Sequence, residues 1–285
     1  MTDLTPPHPW PHRAHLSPSR AALLLPPNCP AKFKQEMDHP SPSSAVQEFG
    51  SVVHTLQLGV GDEITVLEPS VHGLTAKGEV ADNPRSTAMW KAAEAAARAR
   101  GAIPVHADDY AKAREMVAAV RSHPTAGPLF ADGHPEIDLA AVDPFTGVEL
   151  RGRLDWMTMT ADHVLIIDYK TAACADEHVF ARKADDYFYP FQAAWYRTLA
   201  QWCGVDDEPD FLHVVQEKEP PFLVNVIELD REALERGHRQ VRRAIDTYQH
   251  CLSSGQWPGY PPGVHTVSLP GWVYARENRD DVDIF

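Results

Sequence analysis

The feature that most constrains the fold is a short apolar run that ends abruptly in charged residues. Val164-Leu165-Ile166-Ile167 is followed directly by Asp168-Tyr169-Lys170. An uninterrupted apolar run rich in β-branched residues is typical of a strand buried on both faces of a sheet. Because side chains alternate along a strand, Asp168 and Lys170 project from the same face. The pattern therefore predicts a central strand that presents a carboxylate and an ammonium group together.

The segments around this run predict the rest of the sheet and its helices. Residues 136–142 and 148–156 alternate between apolar and polar side chains, and turn residues bound both segments. With the strand that ends at Lys170, they predict a three-strand antiparallel meander. Two further strands are predicted at 211–216 and 222–229, and helices at 45–58, 86–101, 107–122, 186–203 and 230–253. This order favours an α/β fold with a central mixed β-sheet flanked by helices.

The chain is predicted to have one folded domain between two flanking segments. Residues 1–15 are rich in Pro and His and are expected to be a flexible N-terminus. Residues 16–275 form the domain, and residues 276–285 form an acidic C-terminal tail. Apolar residues make up 44% of the 285 residues, which is enough to bury a core and excludes a fibrous or fully disordered chain.

The net charge and the cysteine spacing exclude several classes of partner and of structural site. The 26 Lys and Arg residues against 40 Asp and Glu give a net charge of −14, which argues against broad adhesion to nucleic acid or to an anionic membrane. No stretch approaches the ~20 consecutive apolar residues of a membrane span. The four cysteines lie far apart without a CxxC pair, which disfavours a disulfide framework or a structural zinc site. We therefore expect a cytoplasmic protein with no membrane partner.

A second carboxylate is predicted to lie beside Asp168. Asp155 closes the segment Gly152-Arg153-Leu154-Asp155 and is expected to end the preceding strand, where strand pairing brings it next to Asp168. Two close carboxylates repel each other unless a cation lies between them, and oxygen ligands suit Mg²⁺ or Mn²⁺. A nearby lysine can orient or deprotonate a nucleophilic water, or stabilise transition-state charge. The pattern predicts metal-dependent phosphodiester hydrolysis, whereas Asp-x-Lys alone is more often a solvated strand face.

The combined motifs resemble the P-D-(D/E)-x-K nuclease superfamily. The strings G-R-L-D at 152–155 and I-I-D-Y-K-T at 166–171 carry the core of the resemblance. It is closest to the phage and prophage RecE-type exonuclease branch, which is related to lambda exonuclease and the RecB nuclease domain. It covers residues 16–275 and implies a restriction-endonuclease-like core. Further segments similar to that branch are 16–34, 50–54, 187–196, 217–221 and 257–260.

Carried over residue by residue, the resemblance implies a metal site for Mg²⁺ or Mn²⁺. One ligand would be a histidine on an upstream helix, and the others would come from the meander. Glu136 is included because it opens the first strand and is within reach of a second ion. The implied ligands are His54, Asp155, Asp168, the Tyr169 backbone carbonyl and Glu136.

The resemblance also implies a catalytic set and excludes one cofactor. Asp155, Asp168 and Lys170 would act in the reaction, Lys170 as the catalytic lysine. Gln192 and Tyr196 share one helix face and would line the active-site groove. For Gln192 and Tyr196, the alternative to a role in the site is ordinary packing against the sheet. For His54, the alternative to metal binding is a hydrogen-bonded histidine of the core. Related nucleases hold an iron–sulfur cluster with clustered C-terminal cysteines, but only Cys251 lies in that region here, so no such cluster is expected.

Three basic residues are candidates for contacts with DNA. Arg153 alternates with Asp155 along the strand and is therefore expected to face the site, where it would contact a phosphate. Arg182 and Lys183 are expected to lie in a linker after the catalytic strand and to grip an incoming 5′ end.

Together, the resemblance implies a Mg²⁺-dependent deoxyribonuclease of a bacterial or phage-infected cell. The expected activity is that of a 5′→3′ exonuclease which resects double-stranded DNA ends to 3′ overhangs for recombination. By analogy, the protein would form a homo-oligomeric ring and act with a single-strand annealing protein. The alternatives are a single-strand-specific exonuclease or an endonuclease with the same chemistry, or a non-catalytic DNA-end-binding module.

Overall fold

A five-stranded mixed sheet forms the centre of the computed structural model, which describes residues 15–40, 45–269 and 271. In chain order, the strands are β1 (Ile64–Leu67), β2 (Ile103–His106), β3 (His134–Val142), β4 (Glu149–Met159), β5 (Val164–Ala172), β6 (Asp210–Glu217) and β7 (Val224–Ile227). The central sheet has the order β3-β4-β5-β6-β7, in which only β5 and β6 pair in parallel. Strands β1 and β2 form a separate parallel pair. The predicted fold class is confirmed.

Helices cover both faces of this sheet. They are α1 (Pro18–Ala21), α2 (Pro30–Asp38), α3 (Ala45–Leu58), α4 (Pro69–His72), α5 (Ala88–Ala99), α6 (Ala107–Ser122), α7 (Ala126–Leu129), α8 (Glu177–Ala184), α9 (Tyr189–Trp202) and α10 (Arg231–Ser254). Residue Asp230 caps α10 by accepting the backbone N–H of Ala233 at 2.8 Å, and this supports the start predicted for that helix.

The N-terminal stretch differs from the single helix that the resemblance implies for residues 16–34. It is divided into α1, a 3₁₀ turn at Ala22–Leu24, and α2. Pro26, Pro27 and Pro30 lie between the turn and the body of α2. Because proline has no backbone N–H, such a run ends one helix and permits the next to begin only after it.

Strand β5 is buried because each of its faces contacts a different core. Val164 and Ile166 pack with residues of α9 and α10, whereas Leu165, Ile167 and Tyr169 pack with residues of α3 and α6. Every residue from Val164 to Tyr169 is buried. The apolar run of the sequence is thus explained by a strand that has helices on both sides.

Strand β4 continues beyond the end predicted for it. The prediction that Asp155 ends this strand is wrong, because β4 extends to Met159. The paired register with β5 runs from Met159↔Val164 only as far as Trp156↔Ile167. Asp155 therefore lies at the point where the two central strands separate, although the strand itself continues.

The limits of the predicted domain fall partly outside the described residues. Residues 1–14 and the predicted tail at 276–285 belong to the part of the chain that the structure does not describe. The prediction that His15 belongs to a flexible N-terminus is wrong, because this residue is buried. Its Nδ1 lies 3.1 Å from Glu149 Oε2. Among the described residues, none of the helices has the length and apolar character needed to cross a membrane.

Helices α9 and α10 cross at a position where only glycine fits. A Cβ added to Gly237 of α10 would lie 2.0 Å from the carbonyl oxygen of Pro190 and 3.0 Å from Ala194 Cβ, both in α9. The first contact is too short for real atoms and the second is tight, so a side chain would force the helices apart. The close crossing fixes α9, which carries Gln192 and Tyr196, against the sheet.

We predict that Gly237→Ala destabilises the protein, even though alanine favours a helix over glycine by about 1 kcal/mol. Overpacking should outweigh that preference and lower the free energy of unfolding by about 1–3 kcal/mol. Urea denaturation measures the change, with Arg239→Ala at an exposed position of the same helix as the control. Equal or greater stability of Gly237→Ala would contradict the close crossing.

A buried ion pair attaches α10 to the β3–β4 turn. Asp143 is fully buried and accepts hydrogen bonds from Arg242 Nη1 at 2.8 Å, Arg242 Nη2 at 3.1 Å and the Thr146 backbone N–H at 2.9 Å. Burial alone would raise the pKa of Asp143, but the hydrogen bonds from Arg242 and Thr146 together hold it below its ordinary value. The ionised carboxylate is therefore part of the stable fold.

We predict that Arg242→Ala lowers the free energy of unfolding by about 1–3 kcal/mol at neutral pH, because it leaves a buried carboxylate without its cation. The pKa of Asp143 is depressed in the folded state. The stability that the ionised carboxylate contributes is therefore complete above its pKa in the unfolded chain, about 3.9, and is lost as the pH falls through its pKa in the folded protein. Thermal denaturation from pH 7 to pH 3 measures this. The exposed Arg243→Ala is the control, and a pH-independent difference between the Arg242 variant and wild type would refute the assignment.

Candidate active site

The candidate site lies where β4 and β5 separate. Asp155 Oδ2 accepts a hydrogen bond from the backbone N–H of Tyr169 at 2.9 Å. This bond lies just beyond the last paired residues of β4 and β5. The N–H and C=O of a strand residue point to the same side of the strand. The Tyr169 carbonyl is therefore directed toward Asp155 as well, and Tyr169 lines the cavity at this position.

Asp168 is a buried carboxylate that accepts hydrogen bonds from three side chains. Lys170 Nζ donates to its Oδ1 at 2.8 Å and Gln192 Nε2 donates to the same oxygen at 3.1 Å, while His213 Nδ1 lies 3.1 Å from Oδ2. Burial alone would raise the pKa of Asp168, but the charge of Lys170 and the contact with His213 hold it well below its ordinary value. The acid is thus kept ionised although only 1% of its surface is exposed.

His54 of α3 joins this group from the other side of the cavity. Its Nε2 lies 3.1 Å from Asp155 Oδ1, and its Nδ1 lies 3.5 Å from Glu136 Oε1. Burial lowers the pKa of His54, but the hydrogen bond to Asp155 and the charges of Asp155, Glu136 and Asp168 outweigh that effect and raise it. An imidazole between two carboxylates occupies a position where positive charge is stabilised.

Glu136 reaches the site through an unusual backbone conformation. It lies inside β3, two residues beyond the start at His134, and its φ of 52° is in the left-handed region. The β3–β4 register passes from Pro135↔Trp156 to Ile137↔Leu154, so neither Glu136 nor Asp155 appears as a ladder partner. A non-glycine residue held there costs on the order of 1–3 kcal/mol, and such strain clusters at functional sites.

Gln192 and Tyr196 lie side by side on α9, as predicted. Gln192 contacts Asp168 directly, whereas Tyr196 is buried beside it. The Tyr196 ring packs over Gly152, where an added Cβ would lie 2.7 Å from Tyr196 Cε1. Burial first, and then the charges of Asp168 and Asp155, raise the pKa of the Tyr196 phenol. Tyr196 therefore remains protonated beside the carboxylates.

The predicted basic residues are divided between the cavity and a neighbouring surface. Arg153 lines the cavity, but its Nε donates to Asp138 at 2.9 Å and its Nη1 to Glu136 at 3.3 Å. Arg182 and Lys183 are exposed in the last turn of α8, so their assignment to a linker is wrong. The cavity has a volume of about 490 Å³ and is lined by Gly50, Ser51, His54, Thr55, Gly61, Asp62, Glu136, Arg153, Tyr169, Lys170 and Thr171.

Two buried side chains of β6 support the site and are not predicted from the sequence. His213 pairs in register with Asp168 and is 0% exposed. Gln216 accepts a hydrogen bond from the Tyr169 hydroxyl and donates to the carbonyl oxygen of Met116 at 2.8 Å. A polar residue inside a short apolar strand has no local signal of function, and only the pairing of β6 with β5 reveals these contacts.

The donor groups of the site bear on whether it could hold a divalent cation. Within the described ranges, no group of three or more His, Cys, Asp and Glu residues is arranged as a complete metal site. The chemistry of the donors nevertheless suits Mg²⁺ or Mn²⁺, because Glu136 and His54 line the open cavity and the carboxylates of Asp155 and Asp168 lie close enough to His54 to raise its pKa. Hydrogen bonds from His54, Lys170 and Gln192 engage the carboxylates of Asp155 and Asp168.

Comparison with known proteins identifies the family and the fold. An Asp-x-Lys pair lies on the central strand of the mixed sheet, with a second aspartate where the adjacent strand separates. The chain belongs to the family described as a PDDEXK-like domain of unknown function (DUF3799), whose model matches residues 23–267. No curated protein matches the chain in sequence.

A solved structure shows the same fold. The crystal structure of "Putative exonuclease" from Eubacterium rectale is similar with a TM-score of 0.58 and 9% identity, covering 90% of this chain and 91% of that one. At this identity the likeness shows the fold alone. The crystal structure of SSO0001 aligns with 12% identity over 73% of this chain and 87% of that chain, with a TM-score of 0.28.

We predict that Asp155→Asn and Asp168→Asn differ in stability when metal is absent. Repulsion between the two carboxylates would make both variants more stable than wild type. The structure favours a different result for Asp168, because its charge is balanced by Lys170 and two further donors. Asp168→Asn should lower the free energy of unfolding by about 1–3 kcal/mol, since it leaves buried donors without an acceptor.

Asp155→Asn should change stability by less than about 1 kcal/mol, because the amide oxygen can still accept the Tyr169 N–H. Denaturant unfolding of both variants in EDTA measures the difference. A gain in stability for Asp168→Asn would show that repulsion, and not its three donors, governs this carboxylate.

Proposed function

We propose that the protein is a divalent-metal-dependent 5′→3′ exonuclease acting on double-stranded DNA ends, of the RecE type, which produces 3′ overhangs for recombination. The observation that carries the proposal is the convergence of Asp155, Asp168 and Lys170 where β4 and β5 separate, beside an open cavity that Lys170 lines. A carboxylate pair with a lysine is the set of groups required for metal-assisted phosphodiester hydrolysis.

The proposed roles follow from the positions of the side chains. His54, Glu136, Asp155, Asp168 and the Tyr169 carbonyl would hold Mg²⁺ or Mn²⁺. When bound, such a cation polarises the phosphodiester and offsets the charge that develops on its oxygens. The donor set alone does not distinguish between the two ions, since both favour oxygen ligands.

Lys170 would act on the reacting groups, and Gln192 would hold the Asp168 carboxylate in place. The Lys170 ammonium contacts Asp168 Oδ1 at the edge of the cavity, where it is available to orient a water or to stabilise transition-state charge. Gln192 donates to the same oxygen and holds that arrangement from α9. Tyr196, packed beside Gln192, would keep the helix face in place and remain a protonated donor.

Basic and aromatic side chains near Lys170 indicate a path for the DNA strand. Tyr189 packs 5.5 Å from the exposed Tyr187, and Lys170 Nζ lies 5.9 Å from the centre of the Tyr189 ring. Arg182 and Lys183 are exposed one helical turn away along the chain, at the end of α8. Cations with adjacent aromatic rings are typical of surfaces that bind a nucleic-acid strand without reading its sequence.

Arg153 would contact a phosphate on the other side of the cavity, exchanging its bonds to Asp138 and Glu136 for the phosphate oxygens. The overall charge of −14 limits the positive surface to such local patches. A homo-oligomeric ring with a basic inner wall would be consistent with this charge, since an acidic exterior disfavours binding along the sides of DNA. A single-strand annealing protein is the proposed partner for the 3′ overhang.

We predict that the protein digests a linear duplex in the presence of Mg²⁺ or Mn²⁺, that EDTA abolishes the digestion, and that Lys170→Ala lowers kcat by at least about 100-fold. Duplexes labelled at the 5′ or the 3′ end, with a 5′-phosphate or a 5′-hydroxyl, report the direction of digestion and the preferred end. The exposed Lys91→Ala on α5 is the matched control and should retain wild-type activity.

Closed circular duplex and single-stranded DNA separate the alternatives. Rapid cutting of covalently closed circles would make the protein an endonuclease, and digestion of single strands alone would make it a single-strand-specific exonuclease. Binding of DNA ends without cleavage by the wild-type protein would indicate a non-catalytic module. Full activity of Lys170→Ala in saturating metal would refute the proposed mechanism.

A further inference from the structure

We infer that His213 is a positioning residue that fixes the orientation of the Asp168 carboxylate for metal binding. This inference rests on the proposed function, because it assigns a role within the same site. It concerns a residue of β6 that has no contact with the open cavity and acts only through Asp168.

The contact between His213 and Asp168 is imposed by the sheet. Parallel pairing places His213 directly beside Asp168, so that both side chains leave the sheet on the same face. His213 Nδ1 lies 3.1 Å from Asp168 Oδ2. Both side chains are almost completely buried, with relative exposures of 0% and 2%.

The surroundings of the imidazole define which nitrogen donates. Nδ1 faces an ionised carboxylate, which is an acceptor only, so Nδ1 carries the proton in this contact. Nε2 is buried and has no hydrogen-bond partner among the described residues. Three aromatic rings surround the imidazole, with centroids 5.1–5.3 Å from it: those of Phe180, Tyr189 and Phe211.

An unpaired buried nitrogen is costly, and this cost distinguishes His213 from a simple packing residue. An apolar side chain of similar volume would fill the same aromatic pocket without leaving a nitrogen unsatisfied. The histidine is therefore best explained by what Nδ1 provides, which is a fixed donor to Asp168. Histidine can supply that donor within a rigid planar ring.

The consequence for Asp168 is an asymmetric carboxylate. Oδ2 is held by His213 on the buried side, whereas Oδ1 is the oxygen that Lys170 and Gln192 contact. Fixing Oδ2 prevents rotation of the carboxylate about its Cβ–Cγ bond. Oδ1 is thereby kept toward the groups that act in the reaction, as hydrogen bonds from outside a metal site orient its ligands.

Three variants of His213 separate the donor from the bulk of the ring. His213→Asn places an amide N–H near the position of Nδ1 and should preserve the contact. His213→Gln places its amide near the position of Nε2, and His213→Leu retains volume without a donor. His250→Leu, at an exposed position of α10, is the matched control for loss of an imidazole.

The readouts are Mn²⁺ affinity by titration calorimetry without DNA, kcat and KM on an end-labelled linear duplex, and the melting temperature in EDTA. We expect His213→Leu and His213→Gln to weaken Mn²⁺ binding and to lower kcat by about 10–100-fold, with KM for DNA changed by less than about threefold. His213→Asn should recover most of both losses, and His250→Leu should match wild type.

The outcomes separate this inference from the proposed function. Wild-type Mn²⁺ affinity and kcat in a folded His213→Leu would overturn the role of His213 and leave the nuclease proposal intact. If His213→Leu fails to fold, the comparison of Asn with Gln decides, and equal behaviour of these two overturns the inference. An inactive wild-type protein that still binds Mn²⁺ more tightly than His213→Gln would refute the nuclease and support the positioning role.

Discussion

The structure depends on a negative charge that is buried at the end of the central strand. Asp168 is almost fully enclosed, and an isolated carboxylate in such a position would be protonated or would destabilise the fold. It remains ionised because β5, α9 and β6 each contribute a donor, through Lys170, Gln192 and His213. The negative charge of Asp168 is therefore stabilised only when these three elements are correctly placed relative to one another. The close crossing of α9 and α10 at Gly237 belongs to the same arrangement, since it fixes the helix that carries Gln192.

A second constraint is the interruption of regular pairing around the cavity. The ladder between β4 and β5 ends at Trp156↔Ile167, and the register of β3 with β4 omits Glu136 and Asp155. The backbone groups released in this way are partly satisfied by side chains, as in the bond from the Tyr169 N–H to Asp155. Irregular strand geometry redirects side chains near active sites, and here it gathers carboxylates from neighbouring strands around one opening.

The sheet and the central residues of the site are predictable because they follow from local patterns. The apolar run before Asp168 defines a doubly covered strand, and two-residue alternation places Lys170 on the same face. The end of β4 is wrongly predicted because separation of two strands is a tertiary event, and β4 itself continues past Asp155 to Met159. The contact of His213 and the backbone conformation of Glu136 are not predicted for the same reason. Both depend on the pairing of distant strands, and nothing in the residues next to His213 or Glu136 in the sequence indicates these features. Strands β1 and β2 are four residues each, which is too short for periodicity to define them.

The donors to Asp168 lie at increasing distances along the chain. Lys170 is 2 residues away, Gln192 is 24 and His213 is 45. Parallel pairing of β5 with β6 joins two strands that α8 and α9 separate in the chain, and closing such a long connection carries an entropic cost that slows folding. A chain that has been synthesised only as far as α9 lacks the strand that encloses the acid. Completion of the site therefore depends on the pairing of β5 with β6, and a chain in which β6 has not paired lacks the contact that aligns the Asp168 carboxylate.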